Sequence, residues 1–211
     1  KMIEIKSVNL EVNKDTIRKY KSHVPSELIE IWEKYGYGEM LDGYLRFINP
    51  DDYTNLVDET CMYRQKSIPI ITTAFGDVIT IFNGKYIDII KYRYGFYYLI
   101  AAELKAFIRD LGDIYTVKTT FELDKFKEAV ETLGGVEHDE CFCYVPLLGL
   151  GGAEKVSNIQ KGKTREHIEM ISQLVGKAQY KAVLPDNEKK QQTLLLRTNG
   201  VPRGRKGDIH L

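Results

Sequence analysis

Residues 68–100 constrain this chain more than any other stretch, because strand-like runs alternate there with turns too short for anything but antiparallel pairing. Ile68 to Ala74 reads as one strand, Phe75-Gly76-Asp77 turns it, and Val78 to Phe82 reads as the next. Asn83-Gly84 is a two-residue hairpin signal, since both central positions of the favoured turn need positive φ. Lys85 to Tyr92 returns, Arg93-Tyr94-Gly95 turns, and Phe96 to Ile100 closes the meander. Parallel strands need crossovers of a dozen or more residues, and no connection here is that long.

Helical patterns lie on either side of the meander. Val24, Leu28, Ile31, Trp32 and Tyr35 repeat at the spacing of one helix face, with Pro25 suited to the first turn and Gly36 to the left-handed stop. A shorter helix over 14–22 precedes it, and Leu45 to Ile48 reads as a strand. Asn49-Pro50-Asp51-Asp52 then makes a helix start: a cap, a proline at the first position and two carboxylates against the helix dipole. Ala101 to Leu111 reads as a helix, and Gly112-Asp113 as a boundary. Thr119-Thr120-Phe121-Glu122 fits a capping box for a helix ending at Gly134-Gly135. Glu140 to Pro146 is expected as a strand and Gly149-Leu150-Gly151-Gly152 as a flexible loop. Thr164 is expected to cap a last helix that buries Ile168, Ile171, Leu174 and Val175. The fold class is therefore α+β: an antiparallel meander sheet flanked by helices, with a small helical/β C-terminal subdomain. The expected division is 1–112, 113–176 and a basic tail over 177–211, in which only Thr193-Leu194-Leu195-Leu196 has strand character.

Charge follows the same division. The chain is neutral overall, but residues 1–176 hold 22 basic against 27 acidic side chains, and 177–211 hold 8 against 3. An acidic body suits a basic protein partner and disfavours direct nucleic-acid binding. The tail run Arg203-Gly204-Arg205-Lys206-Gly207 reads as a solvated end rather than a specific nucleic-acid site. No run of eighteen apolar residues suggests a membrane span. The start of the chain lacks a signal-peptide core, and Cys61, Cys141 and Cys143 are an odd count without framework spacing; both point to the cytoplasm.

Each catalytic or ligand motif fails at a named position. Gly162-Lys163-Thr164 ends like a phosphate loop, but Ser157 stands where its first glycine belongs. Gly149-Leu150-Gly151-Gly152 misses the dinucleotide pattern at Glu154. His138, Cys141 and Cys143 lie close together but have no second ligand pair, so the cysteines read as small strand residues. Asp51-Asp52, Asp58-Glu59 and Asp139-Glu140 are adjacent pairs rather than carboxylates facing each other across a cleft. No cofactor and no metal are expected.

The blocks Val24-Pro25-Ser26-Glu27-Leu28 through Trp32-Glu33-Lys34-Tyr35-Gly36, Asp42-Gly43, Phe47-Ile48-Asn49-Pro50-Asp51-Asp52-Tyr53 and Thr73-Ala74-Phe75-Gly76-Asp77 together resemble the GAD-like domain. Asp139-Glu140-Cys141-Phe142-Cys143-Tyr144-Val145-Pro146, Leu150-Gly151-Gly152 and Lys163-Thr164-Arg165-Glu166-His167 resemble the small domain that follows it, once catalogued as DUF1851. The helix ending at Gly36 is also similar to the start of SUKH-like immunity proteins. The resemblance covers roughly residues 5–176 and implies a non-catalytic bacterial immunity protein that binds a cognate toxin, a nuclease effector of type VI secretion. On that reading Glu39, Asp42, Asp51, Asp52, Glu137, Asp139 and Glu140 are the expected partner-binding residues. The runner-up is a small-molecule or peptide binding module that uses the Gly149–Gly152 loop; an uncharacterised hydrolase is third.

Overall fold

The computed structural model describes residues 3–62 and 67–181. The expected strand over 193–196 and the basic run over 203–207 lie outside them. Helices α1 (Lys14–Tyr20) and α2 (Ser26–Tyr35) come first, then β1 (Glu39–Met40), β2 (Leu45–Phe47) and α3 (Pro50–Thr60). The meander follows as β3 (Ser67–Thr73), β4 (Val78–Phe82), β5 (Tyr86–Lys91) and β6 (Phe96–Ala101). Helices α4 (Leu104–Asp110), α5 (Ile114–Phe121) and α6 (Leu123–Leu133) lead to β7 (Glu140–Tyr144), β8 (Ile159–Lys163), α7 (Thr164–Leu174) and β9 (Gln179–Tyr180).

Strands β1 to β6 pair antiparallel in chain order, and β9 adds a parallel edge to β6. This seven-stranded sheet bears out the α+β class. β7 and β8 form a separate antiparallel pair. The Asn83-Gly84 hairpin adopts the left-handed conformation at both positions, φ 52° and 65°, as its sequence demands. Asn49 caps α3 by accepting a hydrogen bond from the Asp51 N–H at 3.2 Å. Helix α2 buries Leu28 and Trp32 almost completely, and the ring of Trp32 meets Tyr20 and Tyr37 edge-on. The core joins early and late segments: Tyr44 packs edge-on against Phe121 and Phe126 with centroids 5.7 and 5.1 Å away. No helix among the described residues is long and apolar enough to cross a membrane.

Four local expectations need correction. Thr119 and Thr120 do not cap a helix; they lie inside α5, and the break comes at Glu122, whose φ is 54°. Its carboxylate is drawn inward to Arg93, 2.7 Å away, a partner 29 residues distant that no local pattern reveals. Thr164 is the first helical residue of α7, buried with its hydroxyl unpaired, and Lys163 occupies the cap position. Leu174 and Val175 face outward, while His167 of the same helix is buried.

Gly149–Gly152 is a packed turn rather than a flexible loop. A Cβ at Gly152 would sit 2.0 Å from the Pro146 carbonyl oxygen. At Gly149 it would sit 2.4 Å from a methyl of Val175, but that side chain is exposed and able to move. Gly152→Ala is therefore expected to cost about 1–3 kcal/mol and Gly149→Ala clearly less. Urea midpoints of the two variants check this; equal losses would show that backbone crowding at Gly152 is not the cause.

Candidate functional site

Arg46 organises the region where the acidic residues lie. It sits in an otherwise apolar strand, β2, and is only 2% exposed. Its guanidinium donates to the Thr73 carbonyl at 3.0 Å and to the Glu137 carbonyl. Burial lowers its pKa from the ordinary value, while Cys141, Glu39 and Asp139 oppose that shift. A buried charge persists only with such partners, so this arginine ties β2 to the loop between α6 and β7.

Of the seven sequence-derived acidic residues, Glu39, Glu137 and Asp139 lie near that tie, and the others lie on the chain segments that adjoin it. Antiparallel register sets Glu39 opposite Arg46. Lys6 bonds the Glu39 carbonyl through its backbone and Asp42 through its side chain, both at 2.9 Å. His138 lies within hydrogen-bond distance, 3.2 Å, of the Tyr37 carbonyl. Burial raises the Tyr37 phenol to about 12, and Asp52 and Asp51 push in the same direction. Burial likewise raises Tyr53 to about 12. Arg165 lies 5.8 Å over the Tyr53 ring and donates to the Asp52 carbonyl. Asp51 accepts from Tyr20 at 2.6 Å and from Lys19, whose hydrogen bond holds its carboxyl below the usual range. Lys163 pairs with Asp139 at 2.9 Å and Glu140 at 3.4 Å. Burial and Arg46 both depress His138.

These contacts bring together segments that are distant in sequence: the β1–β2 turn, the start of α3 and the 137–140 loop. They also moderate the charge. Lys6, Lys19 and Lys163 neutralise part of it; Glu39, Asp52 and Glu137 carry no side-chain ion pair among the described residues. Sequence reasoning missed Arg46, Tyr37, Lys163 and Arg165. Arg46 alone left a signal, a charge in the apolar run Tyr44-Leu45-Arg46-Phe47-Ile48.

A second polar cluster lies inside. Arg93 donates to Asp77 at 3.3 Å and to Glu122 at 2.7 Å, and its guanidinium stacks 4.5 Å over Phe75. Lys125 bridges Glu122 and Glu154 at 2.8 and 2.6 Å. Burial pushes the Asp77 carboxyl above its usual range against the pull of Arg93. Burial also acts to raise Glu122, but Arg93 and Lys125 outweigh it and hold that carboxyl low. The cavity beside Arg93 is lined by Tyr144, Leu147, Gly149, His167 and Val175 and has room for about one water. Arg93 is paired there with Asp77 and Glu122, while its Nε and Nη1 and the Asp77 Oδ1 are buried without a hydrogen-bond partner among the described residues. The Gly162-Lys163-Thr164 motif lies in β8 and the start of α7, where the Thr164 N–H bonds the Asp139 carbonyl at 2.9 Å.

The fold and this geometry define an α+β protein in which charged and aromatic side chains from several segments meet near Arg46. Comparison with known families narrows the class. Residues 1–93 match the model of the GAD-like domain, and residues 101–175 match that of T6SS immunity protein Tdi1, C-terminal. The two matches follow one another in the order the sequence blocks imply, a GAD-like segment and then one similar to the C-terminal domain of the Tdi1 immunity protein. The crystal structure of Atu4351 from Agrobacterium tumefaciens has the same fold, with a TM-score of 0.70 at 18% identity over 85% of this chain and 90% of that one. No curated protein matches the sequence.

Proposed function

We propose that this protein neutralises a cognate toxin by stoichiometric binding without catalysis, and that the toxin is a nuclease met in the cytoplasm. The two matched domains, divided near Gly112-Asp113, would act as one binding unit. The observation that supports the reading is that Arg46 stands opposite Glu39 and donates to the Glu137 carbonyl, while Asp51 and Asp52 lie within electrostatic reach of Tyr37; Asp42, Asp139 and Glu140 are taken as further members of the same face. A face of this kind suits the basic surface with which a nuclease holds nucleic acid. Unpaired Asp52, Glu39 and Glu137 would steer the encounter, and Tyr37 would supply an aromatic anchor. Residues Asp42, Asp51, Asp139 and Glu140 already hold lysines, so each would contribute less.

Co-expression with the neighbouring toxin gene tests this. The wild-type chain is expected to rescue growth and co-purify with the toxin. The double reversal Asp52→Lys with Glu137→Lys is expected to weaken the complex at least tenfold, chiefly through faster dissociation and slower capture at low salt. Intact affinity in a folded double variant would remove this face from the interface, and failure of rescue by the wild type would remove that toxin as the partner.

A further inference from the structure

The cavity beside Arg93 lies where the two matched segments meet. Arg93 is the last residue of the GAD-like match, and the rest of the lining, Tyr144, Leu147, Gly149, His167 and Ile171 among it, belongs to the C-terminal match. Two polar side chains of that lining are almost fully buried with unused hydrogen-bonding atoms. The Nε and Nη1 of Arg93 have no partner among the described residues, and neither has the Tyr144 hydroxyl. Both side chains flank Phe75: the guanidinium lies 4.5 Å over its ring, and the Tyr144 ring stacks parallel to it with centroids 6.2 Å apart. Tyr144 lies within electrostatic reach of Arg93. A buried donor left unpaired forfeits the hydrogen bond that it makes with solvent in the unfolded chain.

Charge and size decide what the cavity takes. Arg93 is already matched by Asp77 at 3.3 Å and Glu122 at 2.7 Å, and Glu122 also meets Lys125 at 2.8 Å. An anion would add a negative charge beside two carboxylates, and a cation would face the guanidinium. His167, kept neutral by burial down to about 4, balances neither. A neutral molecule that both accepts and donates suits the two free groups, and the space holds about one water.

We propose that a single internal water occupies this cavity, accepts a hydrogen bond from one of the unpartnered Arg93 N–H groups and donates one to the Tyr144 hydroxyl oxygen. The water thereby bridges the GAD-like segment and the C-terminal one. Two polar partners are enough to hold a water in a cavity of this size, and a bridge of this kind is nearly as favourable in enthalpy as a direct hydrogen bond.

Crystals of the full chain, at a resolution that shows ordered solvent, test the site. One density peak is expected at about 2.7–3.2 Å from both an Arg93 nitrogen and the Tyr144 Oη. No peak there, or a peak bonded to Arg93 alone, overturns the bridge. An anomalous signal at the same position after a bromide soak overturns the water in favour of an anion. In solution, oxygen-17 magnetic relaxation dispersion counts long-lived internal waters. Tyr144→Phe, which keeps the ring and removes the hydroxyl, is expected to hold one fewer than the wild type. An unchanged count in a Tyr144→Phe chain that is folded by circular dichroism removes Tyr144 from the site; if that variant does not fold, the wild-type density decides.

Discussion

Arg93→Met is expected to lower the unfolding free energy by about 3–5 kcal/mol, the cost of leaving a buried carboxylate without its partner. Asp77 is fully buried, and Arg93 is its charged hydrogen-bond partner at 3.3 Å. The same guanidinium holds Glu122 at 2.7 Å and so fixes the left-handed break between α5 and α6. Its removal therefore strands Asp77, takes one cation from Glu122 while leaving Lys125, and loosens the turn between α5 and α6. Adding Asp77→Asn to Arg93→Met should recover part of the loss, since a neutral amide is far less costly to bury than a lone charge. Urea unfolding of the single and double variants measures both effects. A loss below about 1 kcal/mol in the single variant would mean that Asp77 and Arg93 behave as a solvated surface pair.

Stability is also expected to fall as pH drops from neutrality towards 4, and His167 should account for a large share. Burial lowers this imidazole from its ordinary 6.5 to about 4. The unfolded chain binds a proton at His167 below pH 6.5, whereas the folded chain resists it until about 4. The stabilisation is thus fully present above the unfolded value and is lost as pH falls through the folded one. That gap corresponds to roughly 3 kcal/mol when fully developed. His167→Leu removes both the titration and the unpartnered Nδ1, so the variant should be near wild type at low pH or above it. Glu122, held low by its cations, also loses stabilisation in acid as pH falls through its lowered value. The difference between wild type and His167→Leu, measured at several pH values, isolates the histidine. Parallel urea midpoints for the two proteins across this range would refute the assignment.

The meander, the α2 face and the Asn49 cap were legible because each depends on neighbours a few residues away. Short apolar, β-branched runs bounded by turn residues mark strands, apolar spacing of three and four marks a helix, and Asn-Gly accepts positive φ wherever it stands. The acidic residues were legible as candidates by type. Their gathering was not, because Arg46 reaches Glu137 across 91 positions and Arg165 reaches Asp52 across 113. The same limit explains the errors. Thr119-Thr120-Phe121-Glu122 has the composition of a capping box, but an ion pair to Arg93 outweighs it. Cys141 and Cys143 read as two small strand residues, and what the sequence does not show is that Gly76 and Gly162, from other segments, pack directly against their sulfurs.

The meander was thus written in its own residues, since strand-forming runs joined by short turns leave an antiparallel sheet as the physical solution. Which charges lie inside that sheet's surroundings, which face outward, and which thiols meet were settled by folding. Burial and pairing depend on side chains that come near one another only when segments a hundred residues apart close on a common core.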